Sequence, residues 1–377
     1  MSNYVHSIKN CKCVVICSIA RYEQRTFNTT TMIFAPLLLL CFGLLLTAAG
    51  KIKHIVVVME ENRSFDHMLG WRSGSNGVTG REFNLVDPSN PSSKRVYVTK
   101  NAVQCPVADP SHSVGPTTNK IFTKAKVAAG DLSVASMGGF VESENHARTN
   151  YNQIMDLHTA ESVPILNALA DDFVLMDRFF ASVPGPTWPN RMFALSATSA
   201  GSTATGEWYH NRPGTLFPQE TFFDQVTAAN LTWKNYYNDT PWELFMETVA
   251  HNPKNTAPVE EFWRDCEAGA LPSFSWINPR SGINVTTGVG SNDQHPDHDV
   301  AAGEAFYKDV YEALRSSPSW NETLLIITYD EHGGYWDHGA FGRRIALDFW
   351  DSSCLSRAFF LSFSLSASRS RSHFLCR

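Results

Sequence analysis

The chain is short of the features that would place it in several broad protein classes. It has no run of like charges and no short-period repeat. Its formal net charge is -6, from 31 Lys and Arg against 37 Asp and Glu, so it lacks the basic excess expected of a nucleic-acid binder. Cysteine is scarce where it would matter. Of eight cysteines, four precede residue 50 and two fall in the last 24 residues. Only Cys105 and Cys266 belong to the long coherent middle. They could pair in an oxidising compartment, but two cysteines are not a disulfide framework. The apolar stretch "MIFAPLLLLCFGLLLTAAG", from Met32 to Gly50, is short for a full membrane span and about the length of a signal-peptide core.

What is present suits a folded enzyme-sized unit. The chain has 377 residues, 43% of them hydrophobic, enough for one large domain or two ordinary ones. Residues 1–31 form a polar, Cys-bearing, unpatterned extension upstream of Met32, which is itself a good start. Residues 32–50 read as a signal peptide, with Thr47-Ala48-Ala49-Gly50 offering small residues for cleavage, or as an uncleaved anchor. Residues 51–338 carry coherent patterning, and 339–377 form an atypical tail. Sequons at Asn230, Asn238, Asn284 and Asn321 are compatible with a secreted or endomembrane protein and prove nothing alone.

Ile55 to Met59 is a continuous apolar run and reads as a buried strand. Short strands are expected at Phe173–Met176, around Trp233–Tyr237, in "PSFSWINP" and at Leu324–Tyr329, with helical stretches between most of them. Asp299 can cap a helix in which Val300, Phe306, Val310 and Leu314 recur at near-helical spacing. Strands alternating with helices predict an α/β domain with a mostly parallel central sheet.

Two of those strands run into acid: Glu60-Glu61-Asn62 after the first, and Asp330-Glu331-His332 after the last. Ligands of open α/β sheets bind at the carboxyl ends of the strands. If the two strands are neighbours, four carboxylates converge, and they repel unless a cation or proton lies between them. Oxygen-rich ligation with a carboxamide and imidazoles nearby suits Mg, Ca, Mn or Zn. The blander reading is that these are strand-end turn residues. "NDQHPDHD" gathers Asp293, His295, Asp297, His298 and Asp299; it reads as a polar loop in which Asp299 already has a cap role, or the two His three apart supply metal ligation or a general acid. Thr187 in "SVPGPTWPNR" stands just before a helix start, where a hydroxyl is either an activated nucleophile or only a cap.

Taken together, "VVVMEENRSFDHMLGW", "SVPGPTWPNR", "NDQHPDHDVAAGE" and "TYDEHGGYWDH" resemble the signature blocks of plant non-specific phospholipases C, within the bacterial phospholipase C and acid phosphatase family. The resemblance covers Lys51 to His338. It implies an alkaline-phosphatase-like sandwich, incomplete at the C-terminus, and phosphoester hydrolysis through a Thr-linked phospho-enzyme. By the same resemblance Thr187 is the nucleophile, and His295 and His298 are catalytic. Glu61, Asn62, Asp330 and Glu331 hold a divalent metal. Asn62, His112, Arg191 and His332 bind substrate. The implied partner is a phospholipid at a membrane surface, with no nucleic acid involved, and the implied location is the secretory pathway. Aromatic residues Trp71, Trp188, Tyr335 and Trp336 are compatible with a lipid, but such residues are more often simply core.

Three departures qualify the resemblance. Ser111 stands where the family usually has Gly, and residues 113–136 lack the expected helix-forming block after His112. The tail "GAFGRRIALDFWDSSCLSRAFFLSFSLSASRSRSHFLCR" resembles no family segment and has the composition of read-through or a shifted frame. Two alternatives therefore stand beside a phospholipase: an acid phosphatase on small monoesters, and a truncated, non-catalytic lipid- or phosphate-binding protein.

Overall fold

The computed structural model describes residues 14–17, 52–106, 108–144, 152–206, 216–282 and 290–339. The stretch 32–50, the tail from 340 and Asn284 lie outside them. The long apolar runs become β2 (His54–Glu60) and β9 (Thr323–Tyr329), which pair in parallel over seven residues from His54↔Thr323 to Glu60↔Tyr329. Around them lie β1 (Val14–Cys17), β5 (Val174–Met176), β6 (Trp233–Tyr237), β7 (Thr256–Pro258) and β8 (Phe274–Asn278). The order is β5-β1-β9-β2-β8-β6-β7, and every pairing is parallel. A separate antiparallel pair, β3 (Phe83–Leu85) and β4 (Arg95–Tyr97), lies apart from this sheet.

A parallel sheet needs both faces covered, and alternation along the strands supplies two cores. Val56, Val58, Ile277, Leu325 and Ile327 pack on one side with helices α5 (Pro164–Asp172), α9 (Val259–Ala268) and α10 (Val300–Ser316). Val57, Met59, Phe274 and Trp276 pack on the other with α6 (Thr187–Ser196), α7 (Phe222–Ala228) and α8 (Glu247–Ala250). Each such fully buried aliphatic side chain contributes about 1.5–3 kcal/mol. Asp299 caps α10 by accepting from the Ala301 N–H, and Val300, Phe306, Val310 and Leu314 are all buried, as their spacing predicts.

A third cluster joins the β3–β4 pair to α2 (Val114–Phe122), α4 (Phe140–Glu144) and Trp336, with α3 (Lys124–Ala128) beside it. It closes over the carboxyl ends of β2 and β9, because Ser64 Oγ donates to the Trp336 carbonyl and Trp336 N donates to that of Ile154. Short α1 (Phe65–Leu69) leaves the same end of β2.

Three expectations meet a different outcome. The region after His112 is helical: Ile121 and Phe122 of α2 are buried in the third cluster. Val14–Cys17, within the stretch read as unpatterned, pairs with both β9 and β5, and β5 joins the sheet only through it. Cys105 is exposed, Cys266 is buried in α9, and both are free thiols, so the pairing weighed for them does not occur. No helix among the described residues is long and apolar enough to cross a membrane.

Candidate active site

The pairing of β2 with β9 brings their acidic ends together. Asn62 N donates to Asp330 Oδ1 at 3.0 Å, and Asp330 N donates to the Glu60 carbonyl at 3.2 Å. Asn62 sits at φ 60°, a left-handed conformation that costs a residue with a side chain about 1–2 kcal/mol. The two glycines after His332 permit this approach. Gly333 and Gly334 have φ of 60° and 75°, and a Cβ on Gly333 would lie 1.8 Å from the Asn62 carbonyl oxygen.

Thr187 meets this junction from the other core. It is the first residue of α6, with Pro186 at the cap position and no side-chain capping bond. Its hydroxyl donates instead to Glu61 Oε1 at 3.2 Å and Asn62 Oδ1 at 3.3 Å. The capping reading of Thr187 is thereby removed. One turn along, the Arg191 guanidinium donates through Nε to Asp330 Oδ2 at 3.1 Å and lies 4.4 Å over the Trp242 ring, with its Nη1 unpartnered. Arg191 and Asp330 are both buried, so the pair is shielded from solvent.

The imidazoles line one side. His112 Nε2 is 3.3 Å from Asn62 Nδ2 and 3.7 Å from Glu331 Oε1. Asp109 lies between two of them, 3.4 Å from His112 Nδ1 and 3.8 Å from His295 Nε2. His295 Nδ1 and His298 Nε2 both face Asp297 Oδ1, at 2.8 and 3.4 Å, while His298 Nδ1 is 2.6 Å from Asp293 Oδ1. This loop is fastened to the site: Glu61 N donates to the Asp293 carbonyl at 2.9 Å, and Arg63 donates to the carbonyls of Gln294 at 2.7 Å and His295 at 3.4 Å. His332 sits in the turn after β9. It accepts from Gly334 N and meets the Phe140 ring edge-on, and burial holds it neutral, with its pKa lowered to about 3.

Burial, and then the Asp330 charge, push the Glu61 carboxyl well above its ordinary range. Burial and then Asp330 do the same to Glu331. For His298 burial alone would depress the pKa, but the Asp293 hydrogen bond and charge more than reverse it. The Thr187 hydroxyl thus faces a carboxyl of raised proton affinity, and the nearby His298 imidazole is biased toward its charged form.

These residues also fit a divalent cation. Their donors are carboxylate and carboxamide oxygens, and buried Glu331 Oε1 has no hydrogen-bond partner. The compact three-residue groups among the described residues are two others, His295–Asp297–His298 and Asp66–Asp337–His338, each with ligand atoms within 4.8 Å of one another.

Residues 52–341 match the phosphoesterase family. The chain belongs to that family. It is 40% identical over 298 residues to non-specific phospholipase C6 of Arabidopsis thaliana, covering 77% of this chain and 55% of that protein. Non-specific phospholipase C1 of the same plant is also 40% identical over 298 residues, with 77% and 54% covered. Phospholipase C A of Mycobacterium tuberculosis is 28% identical over 341 residues, covering 76% and 59%. The chain spans about half the length of the curated relatives it matches.

Sequence reasoning singled out Thr187, the two acidic strand ends and the His295–His298 block, and the fold brings these together. It gave no role to Asp109, Asp293, Arg63 or Trp242. Asp293 stood in the quoted cluster, and Arg63 beside Asn62 was equally in view. Asp109 had its position three residues before His112 as a signal, whereas nothing local marks Trp242.

Proposed function

We propose that this chain is a phospholipase C-type phosphoester hydrolase, cleaving glycerophospholipids to diacylglycerol and a phosphorylated head group. The observation that carries the reading is the Thr187 hydroxyl, buried at a helix start yet given to Glu61 and Asn62 rather than to a cap. The names of the relatives support the phospholipid.

Thr187 Oγ attacks phosphorus as its proton passes to Glu61. The bond from phosphorus to the glycerol oxygen breaks, and His298, oriented by Asp293, gives a proton to the departing alkoxide. Water then attacks phosphorus as its proton passes to His298, the bond from phosphorus to Thr187 Oγ breaks, Glu61 returns its proton to that oxygen, and the phosphorylated head group leaves. Arg191, held by Asp330, offers its unpartnered Nη1 to a phosphoryl oxygen, and His112 and His295 flank the same space. A divalent cation held by Glu61, Asn62, Asp330 and Glu331 would polarise the phosphoryl oxygens and lower the pKa of the Thr187 hydroxyl.

Thr187→Ala tests the reading. Diacylglycerol release should fall by about 10⁴-fold or more. The melting temperature should stay within a few degrees, since only hydrogen bonds of about 1 kcal/mol are lost. Retained turnover would remove Thr187 from the mechanism.

Secretory targeting through residues 32–50 belongs to the same proposal. Cleavage near Gly50 would separate Val14–Cys17 from the sheet, and a spanning anchor at 32–50 would put β1 and β2 on opposite sides of a membrane, so a folded chain keeping β1 has 32–50 neither removed nor spanning. N-terminal sequencing of the endogenous protein distinguishes the two forms.

A further inference from the structure

Behind the site lies a buried ion pair that the chemistry above does not use. Lys120 of α2 and Glu144, the last residue of α4, are both fully buried, with Nζ 2.8 Å from Oε1. Such a pair generally adds little over two well-packed apolar side chains, because desolvating both charges offsets their attraction. Its contacts are specific. Lys120 Nζ donates to the Gly334 carbonyl at 2.9 Å, and Glu144 Oε1 accepts from Ser111 N at 3.1 Å.

The two ends of the pair therefore hold the two loops that meet in front of it. Ser111 precedes His112, whose Nδ1 bonds the Pro110 carbonyl at 2.7 Å. Gly334 belongs to the turn that follows Glu331, and Glu331 Oε2 accepts from Gly333 N at 2.8 Å. The loops are packed tightly: a Cβ on Gly334 would lie 2.7 Å from Lys120 Nζ and 2.8 Å from Pro110 Cβ. At the front, His112 Nε2 and Glu331 Oε1 stand 3.7 Å apart. Burial lowers the Lys120 pKa, and the Glu144 charge opposes that shift.

We propose that Lys120 and Glu144 are positioning residues that set the spacing of His112 and Glu331 for phosphoester hydrolysis. The inference rests on the functional reading above. A small displacement of such groups suffices, since a misplacement of about 1 Å costs on the order of a hundredfold in rate.

The test uses the full chain carrying both Lys120→Met and Glu144→Leu, which removes the two charges together and leaves neither unpaired. Three quantities are measured: the melting temperature, amide hydrogen exchange of segments 109–112 and 331–335, and kcat and KM on phosphatidylcholine vesicles. The expected result is a cooperative transition within a few degrees of the parent, exchange in both segments at least tenfold faster, and a kcat lower by about a hundredfold with KM little changed. A folded double variant with parental exchange and parental kcat overturns the proposal. If the double variant does not fold, Glu144→Gln, which keeps an acceptor for Ser111 N but not the charge, should give the same pattern in smaller degree; parental exchange and kcat in that variant would equally overturn it. Turnover by Thr187→Ala would instead defeat the underlying reading of the reaction, while the exchange rates still decide whether the pair positions the loops.

Discussion

Two groups of carboxylates leave the same two strands and behave differently. Asp66, Asp337 and His338 answer one another: Asp66 Oδ2 accepts from His338 N at 2.6 Å and Nδ1 at 2.7 Å, Asp337 Oδ2 accepts from Asp66 N, and Asp337 Oδ1 accepts from Gly339 N. Glu61, Asp330 and Glu331 face a hydroxyl, a guanidinium and an imidazole, and Glu331 Oε1 has no hydrogen-bond partner. The first group is a clasp holding α1 to the loop after β9. The second gathers its acceptors around the Thr187 hydroxyl and the Arg191 guanidinium. Composition alone does not separate the two, nor does a count of unpartnered acceptors, since Asp66 Oδ1 is as bare as Glu331 Oε1; the side chains that each group faces do.

The comparison is broken most forcefully at Asp330. Asp330→Asn leaves buried Arg191 without its counter-charge, so stability should fall by about 3–5 kcal/mol and activity by about 10²–10³-fold. Glu61→Gln should lose comparable activity with a smaller change in melting temperature. A strong chelator should mimic the activity loss in the parent protein. Denaturant melts and diacylglycerol release measure both quantities.

The clasp should respond the other way round. Asp66→Asn weakens the hydrogen bonds to His338 and should cost about 1–3 kcal/mol, while activity falls less than tenfold. A loss of activity as large as that of Asp330→Asn would show that the two groups act as one.

The smallest effect is on pH dependence. The Asp66 hydrogen bond raises the His338 pKa against the pull of burial. A histidine whose folded pKa lies above its unfolded one contributes stability that is complete below about pH 6.5 and is lost as pH rises through the raised value. Melting temperatures between pH 6 and 9 should therefore decline for the parent, and less for Asp66→Asn.

Much of this arrangement was legible because it depends on local pattern. The β2 and β9 runs announced themselves as buried strands, and their acidic ends and the helix start at Thr187 followed. The clasp was spelled out in the same quoted blocks, but its pairing of Asp66 with His338 spans 272 residues and has no local signature. Helix α2 was not legible either. "VGPTTNKIF" holds Gly, Pro and two Thr, poor helix formers, and it folds because Ile121 and Phe122 pack against Phe140 and Val141. With that helix went Lys120, and with Lys120 the ion pair. Four-residue β1 is too short to show a period, and its place is fixed by its partners β9 and β5. The Cys105–Cys266 pairing failed because Cys266 serves as a small apolar group in the core of α9.

The central claim is that Thr187 carries the phosphoryl group between two half-reactions. Acid quenching of the purified protein during turnover of a phospholipid, followed by peptide mass spectrometry, tests it directly. The account predicts an adduct with the mass of the phosphorylated head group on the peptide containing Thr187, present during turnover and absent from Thr187→Ala. Steady diacylglycerol release with no adduct on that peptide, or with the adduct on another residue, would contradict it.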